Sequence, residues 1–110
     1  MAGIIEEIES AIKKNKIMIF MKGDRKFPQC GFSAATVAIF EALGVPFETA
    51  DVLSDPELRD AIKRYSNWPT IPQVYINGKF VGGCDIIREL HESRELEPMV
   101  KAAFGGTAQQ

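Results

Sequence analysis

The sequence predicts an α/β fold in which a four-stranded mixed sheet is flanked by helices, and three observations carry that expectation. Ile17-Met18-Ile19-Phe20-Met21 is an unbroken apolar run, the pattern of a short strand buried on both faces. Asn77-Gly78 separates Val74-Tyr75-Ile76 from Lys79-Phe80-Val81, which is the chemistry of a two-residue type I′ hairpin. The elements follow one another as helix, strand, helix, strand, helix, strand, strand, helix, helix. The first two strands, joined by a crossover helix, are therefore expected to be parallel and the last two antiparallel.

Residues 4–14 place Ile4, Ile5, Ile8, Ala11 and Ile12 on one helical face, with Glu6 and Glu7 early and Lys13 and Lys14 late, as the helix dipole prefers. Lys22-Gly23-Asp24 ends the first strand. A second helix, roughly Ser33 to Leu43, is apolar over most of its surface through Ala34, Ala35, Val37, Ala38, Ile39, Phe40 and Leu43, so burial is expected, and Gly44 supplies a left-handed stop. Phe47 to Val52 reads as the next strand. Ser54-Asp55-Pro56-Glu57 is expected to form a capping box for a helix through Leu58, Ala61, Ile62 and Tyr65 that leaves Arg59 off its apolar face.

Asn67-Trp68-Pro69-Thr70-Ile71-Pro72 is excluded from a helix, because each proline pushes the residue before it toward extended geometry. Pro72 is a candidate cis-proline, and Trp68 is expected to serve as a core anchor more readily than as a binding residue. After the hairpin, Gly82-Gly83-Cys84-Asp85 leads into a helix carrying Ile86, Ile87 and Leu90, and a last segment spaces Leu96, Met99, Val100, Ala103 and Phe104 for a helix. Residues 1–106 are expected to form one domain and 107–110 a frayed tail.

Composition excludes several function classes. At 110 residues and 45% hydrophobic, the chain has enough apolar surface for one modest core. A net charge of −2, with lysines and arginines scattered rather than striped among aromatics, argues against nucleic-acid binding. No apolar run approaches a bilayer span, and the acidic start Met1-Ala2-Gly3-Ile4-Ile5-Glu6-Glu7 does not read as a signal peptide, so no membrane association is expected. Cys30 and Cys84 make neither a disulfide framework nor a zinc-finger spacing. A reducing compartment is expected: the cytoplasm, or a plastid stroma or mitochondrial matrix where a transit peptide has been removed.

The chemistry centres on Cys30-Gly31-Phe32-Ser33. Cys30 stands between the turn Lys26-Phe27-Pro28-Gln29 and a helix start, whose partial positive charge favours the thiolate. A buried structural thiol is the plainer alternative, but proline, glycine and a helix start cluster here as reactive thiolates require. Ser33 occupies the place of the second thiol in a two-cysteine redox motif; it can cap the helix or donate a weak hydrogen bond to sulfur, but it cannot resolve a disulfide. The site thus holds one activated sulfur and needs others. A two-iron cluster takes four thiolates, and one chain offers at most Cys30 and Cys84. Two chains would supply two Cys30 sulfurs and need two more, from Cys84 or from a small thiol.

The remaining candidates favour the small thiol. Lys22 and Arg59 can face a carboxylate, extended Thr70-Ile71-Pro72 can pair its backbone with a peptide, and the helix start at Cys84-Asp85 offers N–H donors to a second carboxylate. Asp85 can hold an ammonium. A ligand with two carboxylates, a peptide backbone, an ammonium and a thiol is a description of glutathione. Taken singly, each of these charges is as readily read as solvated surface.

Four stretches in this order, Met21-Lys22-Gly23, Cys30-Gly31-Phe32-Ser33, Asn67-Trp68-Pro69-Thr70 with Pro72-Gln73, and Gly82-Gly83-Cys84-Asp85-Ile86, resemble the single-domain monothiol glutaredoxins of the CGFS type. The likeness covers nearly the whole chain. It implies a thioredoxin-like fold and a glutathione site in which Lys22 and Arg59 bind the glycyl carboxylate, the Ile71 backbone before cis-Pro72 binds the cysteinyl unit, and Cys84 with Asp85 binds the γ-glutamyl end. It further implies that Cys30 is the redox thiol and the protein ligand of a 2Fe-2S cluster, held by a homodimer with two glutathiones and passed to acceptor proteins, with BolA-like proteins as further partners. The rival implication is a glutathione-dependent thiol–disulfide oxidoreductase acting through Cys30. One departure is Ile71, where many members carry phenylalanine; the backbone contact is expected to survive the change.

Overall fold

The computed structural model describes residues 3–105, so the tail expected at 107–110 lies outside the described residues. The elements are α1 (Ile4–Lys14), β1 (Ile17–Met21), α2 (Gly31–Leu43), β2 (Glu48–Asp51), α3 (Pro56–Ser66), β3 (Gln73–Ile76), β4 (Lys79–Gly82), α4 (Cys84–Glu92) and α5 (Leu96–Ala103). They form a four-stranded sheet in the order β2-β1-β3-β4. β1 runs parallel to β2, with Met18 opposite Glu48 and Met21 opposite Asp51, and antiparallel to β3, with Ile17 opposite Ile76 and Phe20 opposite Gln73.

All five residues of β1 are buried because helices cover both faces of the sheet. Ile17, Ile19 and Met21 point into a core with Val37 and Phe40 of α2, Ile87 of α4 and Leu96 and Val100 of α5. Met18 and Phe20 point the other way, onto Ile8 and Ile12 of α1 and Ala61 and Ile62 of α3. Fully burying one such aliphatic or aromatic side chain is worth about 1.5–3 kcal/mol, so this strand is the principal apolar anchor of both layers. At the hairpin tip, Asn77 and Gly78 have φ of 53° and 82°, the two positive angles a type I′ turn requires.

Three expectations are corrected. α2 starts at Gly31, with Cys30 itself as N-cap, rather than near Ser33. It is also buried along one stripe only, through Ser33, Thr36, Val37 and Phe40, whereas Ala34, Ala38 and Ala42 face solvent. Alanine inflates an apolar count but is chosen as readily for helix propensity as for burial. The third concerns α3, which carries a single cap in place of a capping box: Asp55 accepts from the Leu58 N–H at 3.2 Å with Pro56 in the first turn, while Ser54 Oγ turns back to donate to the Asp51 carbonyl.

This arrangement makes a stability test. Asp55→Ala is expected to lower unfolding stability by about 1 kcal/mol, the usual worth of an N-cap side chain. Glu57→Ala, which removes a favourable charge from the first turn but no cap hydrogen bond, is expected to change it by no more than a few tenths. Urea midpoints of the two variants check this; equal losses would mean that Glu57 closes a box after all.

Candidate functional site

Three segments converge beside the carboxyl end of β1. The first is the loop from Lys22 to Cys30. Gly23 turns it at φ +87°, where a Cβ would sit 2.5 Å from the Phe27 carbonyl oxygen and 2.6 Å from the Gln29 nitrogen, so only glycine fits. The Gly23 N–H donates to Asp51 Oδ1 at 2.9 Å and the Lys22 N–H to Ser33 Oγ at 3.1 Å. Further out, Asp24 Oδ1 accepts from the N–H groups of Lys26 and Phe27. Arg25 clamps the loop to the body: its guanidinium lies 3.8 Å above the Phe47 ring, donates to the Phe47 carbonyl at 2.9 Å and pairs with Glu41 at 3.0 Å.

Cys30 ends this loop as a partly exposed thiol. Its pKa is held below the ordinary thiol value, first by the Ser33 backbone N–H and then, against the opposing effect of burial, by the Phe32 N–H, the Ser33 hydroxyl and the positive charge of Lys22. These donors belong to the open first turn of α2, the part of a helix whose N–H groups have no intrahelical partner. Ser33 therefore does not cap the helix; fully buried, it ties β1 to α2 and helps stabilise the sulfur.

The second segment is the loop before β3. Asn67 closes α3 in the left-handed conformation, and the Ile71–Pro72 peptide bond is cis. Gln73 is fully buried and donates to the Trp68 and Thr70 carbonyls at 3.1 and 3.3 Å. Trp68 does not anchor the core as expected; it is 38% exposed and leans on Phe80, with ring centres 5.8 Å apart. The third segment is the start of α4. Gly83 packs so closely that a Cβ there would come within 3.0 Å of the Pro72 carbonyl oxygen, which brings the α4 N-terminus against the cis-proline loop. Cys84 is buried and its Sγ accepts from Arg88 Nη2 at 3.4 Å; Asp85 is exposed, 3.7 Å from Arg88 Nη1.

Between the three segments lies a cavity of about 440 Å³ whose lining includes Lys22, Cys30, Ile71, Pro72, Cys84 and Asp85. Phe32, Lys63 and Trp68 line it too. Arg59 is exposed on α3 and outside this lining, one turn before Lys63. Lys63 was legible as the next cation along the same helix stripe, but its reach over the cavity depends on how α3 docks. Gln73 was legible only as part of a motif; nothing local marks a strand glutamine as a loop anchor.

A model of the glutaredoxin family matches residues 17–81, which span the thiol loop, the cis-proline loop and most of the hairpin. The chain belongs to the glutaredoxin family. Its relatives include a ycf64-like monothiol glutaredoxin of Synechocystis sp., 57% identical over 88% of this chain and 91% of that one. A probable monothiol glutaredoxin 2 of Rickettsia conorii is 59% identical over 86% and 89%. Among solved structures, reduced apo GrxS14 of poplar is 43% identical and superposes with a TM-score of 0.83 over 93% of this chain and 94% of that one. The glutaredoxin thus has the thioredoxin-like fold, and its closely similar relatives carry the monothiol description.

The thiolate share of this glutaredoxin rises with pH, and a pKa below the ordinary thiol value puts more of Cys30 in the reactive form near neutrality. Iodoacetamide alkylation of the folded protein is accordingly expected to reach half its maximal rate at lower pH than in urea, where the α2 donors are lost. Ser33→Ala, which keeps the backbone N–H, is expected to raise that midpoint more than Lys22→Ala, because the Ser33 hydroxyl lowers the thiol pKa more than the Lys22 charge does. Coincident folded and unfolded profiles would contradict this account of the site.

Proposed function

We propose that this chain binds glutathione in the cavity beside Cys30 and that, as a homodimer, it carries a 2Fe-2S cluster to acceptor proteins. The observation behind this is one activated, partly exposed thiol opening into a cavity with a peptide-like wall, cations and a helix N-terminus. Glutathione suits those features. Its glycyl carboxylate would lie toward Lys22 and Lys63, with Arg59 one turn further out, its cysteinyl unit along Ile71 and Pro72, and its γ-glutamyl end at the first N–H groups of α4 with Asp85 near the ammonium.

The donor set tests the fit to the cluster. Among the described residues no group of three or more His, Cys, Asp or Glu side chains is gathered for a metal, and Cys84 is buried with its sulfur engaged by Arg88. Cys30 fits as one of four sulfur ligands, the others being a second chain's Cys30 and the thiols of two glutathiones. The cluster is cargo here. Acceptors and a BolA-like protein are the partners proposed, in a reducing compartment such as the cytoplasm, a plastid stroma or a mitochondrial matrix.

A second reading is favoured by the lowered Cys30 pKa: glutathione-dependent reduction of mixed disulfides. The Cys30 thiolate would attack the glutathione sulfur of a glutathionylated protein and release the protein thiolate. A second glutathione would then attack the Cys30 mixed disulfide, regenerate the thiol and leave as glutathione disulfide.

Anaerobic reconstitution with and without glutathione, followed by absorbance and size-exclusion chromatography, separates the two. A carrier is expected to give a coloured dimer that needs glutathione and returns to colourless monomer when glutathione is removed, because assembly joining two chains depends on both concentrations. Cys30→Ser is expected to abolish colour, and Cys84→Ala to retain it. Full colour without any small thiol, lost in Cys84→Ala, would replace the shared-glutathione shell with a protein-only one. A colourless protein that turns over glutathionylated substrate would leave the oxidoreductase.

A further inference from the structure

The cavity has two walls anchored by different side chains. On the thiol side the anchors are Ser33 and Asp51, holding the Lys22 and Gly23 amides. On the opposite side the anchor is Gln73, whose Nε2 donates to the Trp68 and Thr70 carbonyls while its Oε1 accepts from the Tyr75 hydroxyl at 3.3 Å. Gln73 and Tyr75 are two apart on β3 and face the same side, so the hydroxyl fixes which end of the amide meets the loop. Ser66 Oγ completes the wall by accepting from the Trp68 N–H at 3.1 Å. Both backbone polar groups of Trp68 are therefore tied down, its carbonyl by Gln73 and its N–H by Ser66 Oγ together with the Lys63 carbonyl at 3.2 Å, beneath an indole that lines the cavity.

We propose that Gln73 is a positioning residue: its amide sets the path of the chain from Trp68 to Ile71, and through it ligand affinity, without acting on Cys30. The proposal rests on the glutathione reading only for the identity of the ligand. Backbone carbonyls in a loop closed by two prolines have few ladder partners, so side-chain donors must satisfy them. A carboxyl of the same size is the telling replacement. Ionised, it has no proton to donate and faces two carbonyl oxygens; protonated, it can restore one of the two bonds. Burial raises its titration toward neutrality.

The titratable and charged groups around this position are Tyr75 on β3, Tyr65 and Lys63 on α3, and Lys22, Cys30, Cys84 and Asp85 across the cavity. Tyr75, pushed up to about 12 by burial, stays neutral throughout the range used. Affinities are taken as ratios to wild type at each pH, which cancels the titration of Cys30.

The test uses the whole chain, with three readouts: emission of Trp68, the one tryptophan; calorimetry with reduced glutathione; and iodoacetamide alkylation of Cys30. Between about pH 5 and 8, Gln73→Glu is expected to lie nearest wild type at the acid end and to lose roughly tenfold in affinity as pH rises, with a parallel shift in Trp68 emission. Gln73→Met is expected to be weakened at every pH, and it carries the comparison if the carboxylate prevents folding. Cys30 alkylation is expected to stay within about twofold of wild type in both, since the two walls share no anchor. Emission and affinity that track wild type in both variants would overturn the proposal, as would loss of Cys30 reactivity in step with affinity. Wild type that binds no glutathione, beside a Gln73→Glu protein whose emission moves with pH, would uphold the positioning role and sink the glutathione reading.

Discussion

Two successive amides at the end of β1 hold the site together. The Lys22 N–H is taken by Ser33 and the Gly23 N–H by Asp51, so the carboxyl end of the central strand is tied at once to the first turn of α2 and to the end of β2. Without those bonds the loop to Cys30 would be left with its own internal bonds, such as the Gln29 N–H on the Lys22 carbonyl at 2.8 Å, and the outer clamp of Arg25 on Phe47 and Glu41. With them, Cys30 is delivered to the N-cap of α2, where unpaired N–H groups meet the sulfur. Ser33 therefore has a structural duty as well as an electrostatic one, and replacing it with a thiol would change both.

The apolar frame and the polar anchors divide the labour. β1, buried on both faces, fixes where its end lies, and the helices packed on each side of the sheet fix the directions of the loops that leave it. The anchors then set those loops to within hydrogen-bond geometry. Gly83 against the Pro72 carbonyl is the point where the two loop systems meet, and any side chain there would push α4 away from the cis-proline. Catalytic or ligand-binding geometry built this way relies on rigid elements with short loops between them.

Much of the fold was legible because local signals agreed with the tertiary outcome. The five buried residues of β1 and the Asn77-Gly78 turn appear as expected, and so does the helical face of α1 through Ile4, Ile8, Ala11 and Ile12, although Ile5, expected on that face, is exposed. The errors share a cause. The alanines of α2, the supposed capping box and the tryptophan at 68 were all read from residue type, whereas exposure and partner depend on which neighbour arrives across space. At the site, Cys30, Lys22, Ile71, Pro72, Cys84 and Asp85 do share one cavity, whereas Lys63 enters it and Arg59 does not.

By itself the sequence determined the order of elements, the hairpin, the single thiol at a helix start and the absence of a second one at position 33, because these depend on neighbours within a few residues. Only the tertiary structure decided that Ser33 bonds the Lys22 amide eleven residues away, that Asp51 reaches back to Gly23, and that Gln73 holds the loop before it. The first two join the end of β1 to α2 and β2, and no spacing within one element encodes where a neighbouring element will end; Gln73 reaches only three and five residues back, but only the folded path of the loop turns those carbonyls toward it.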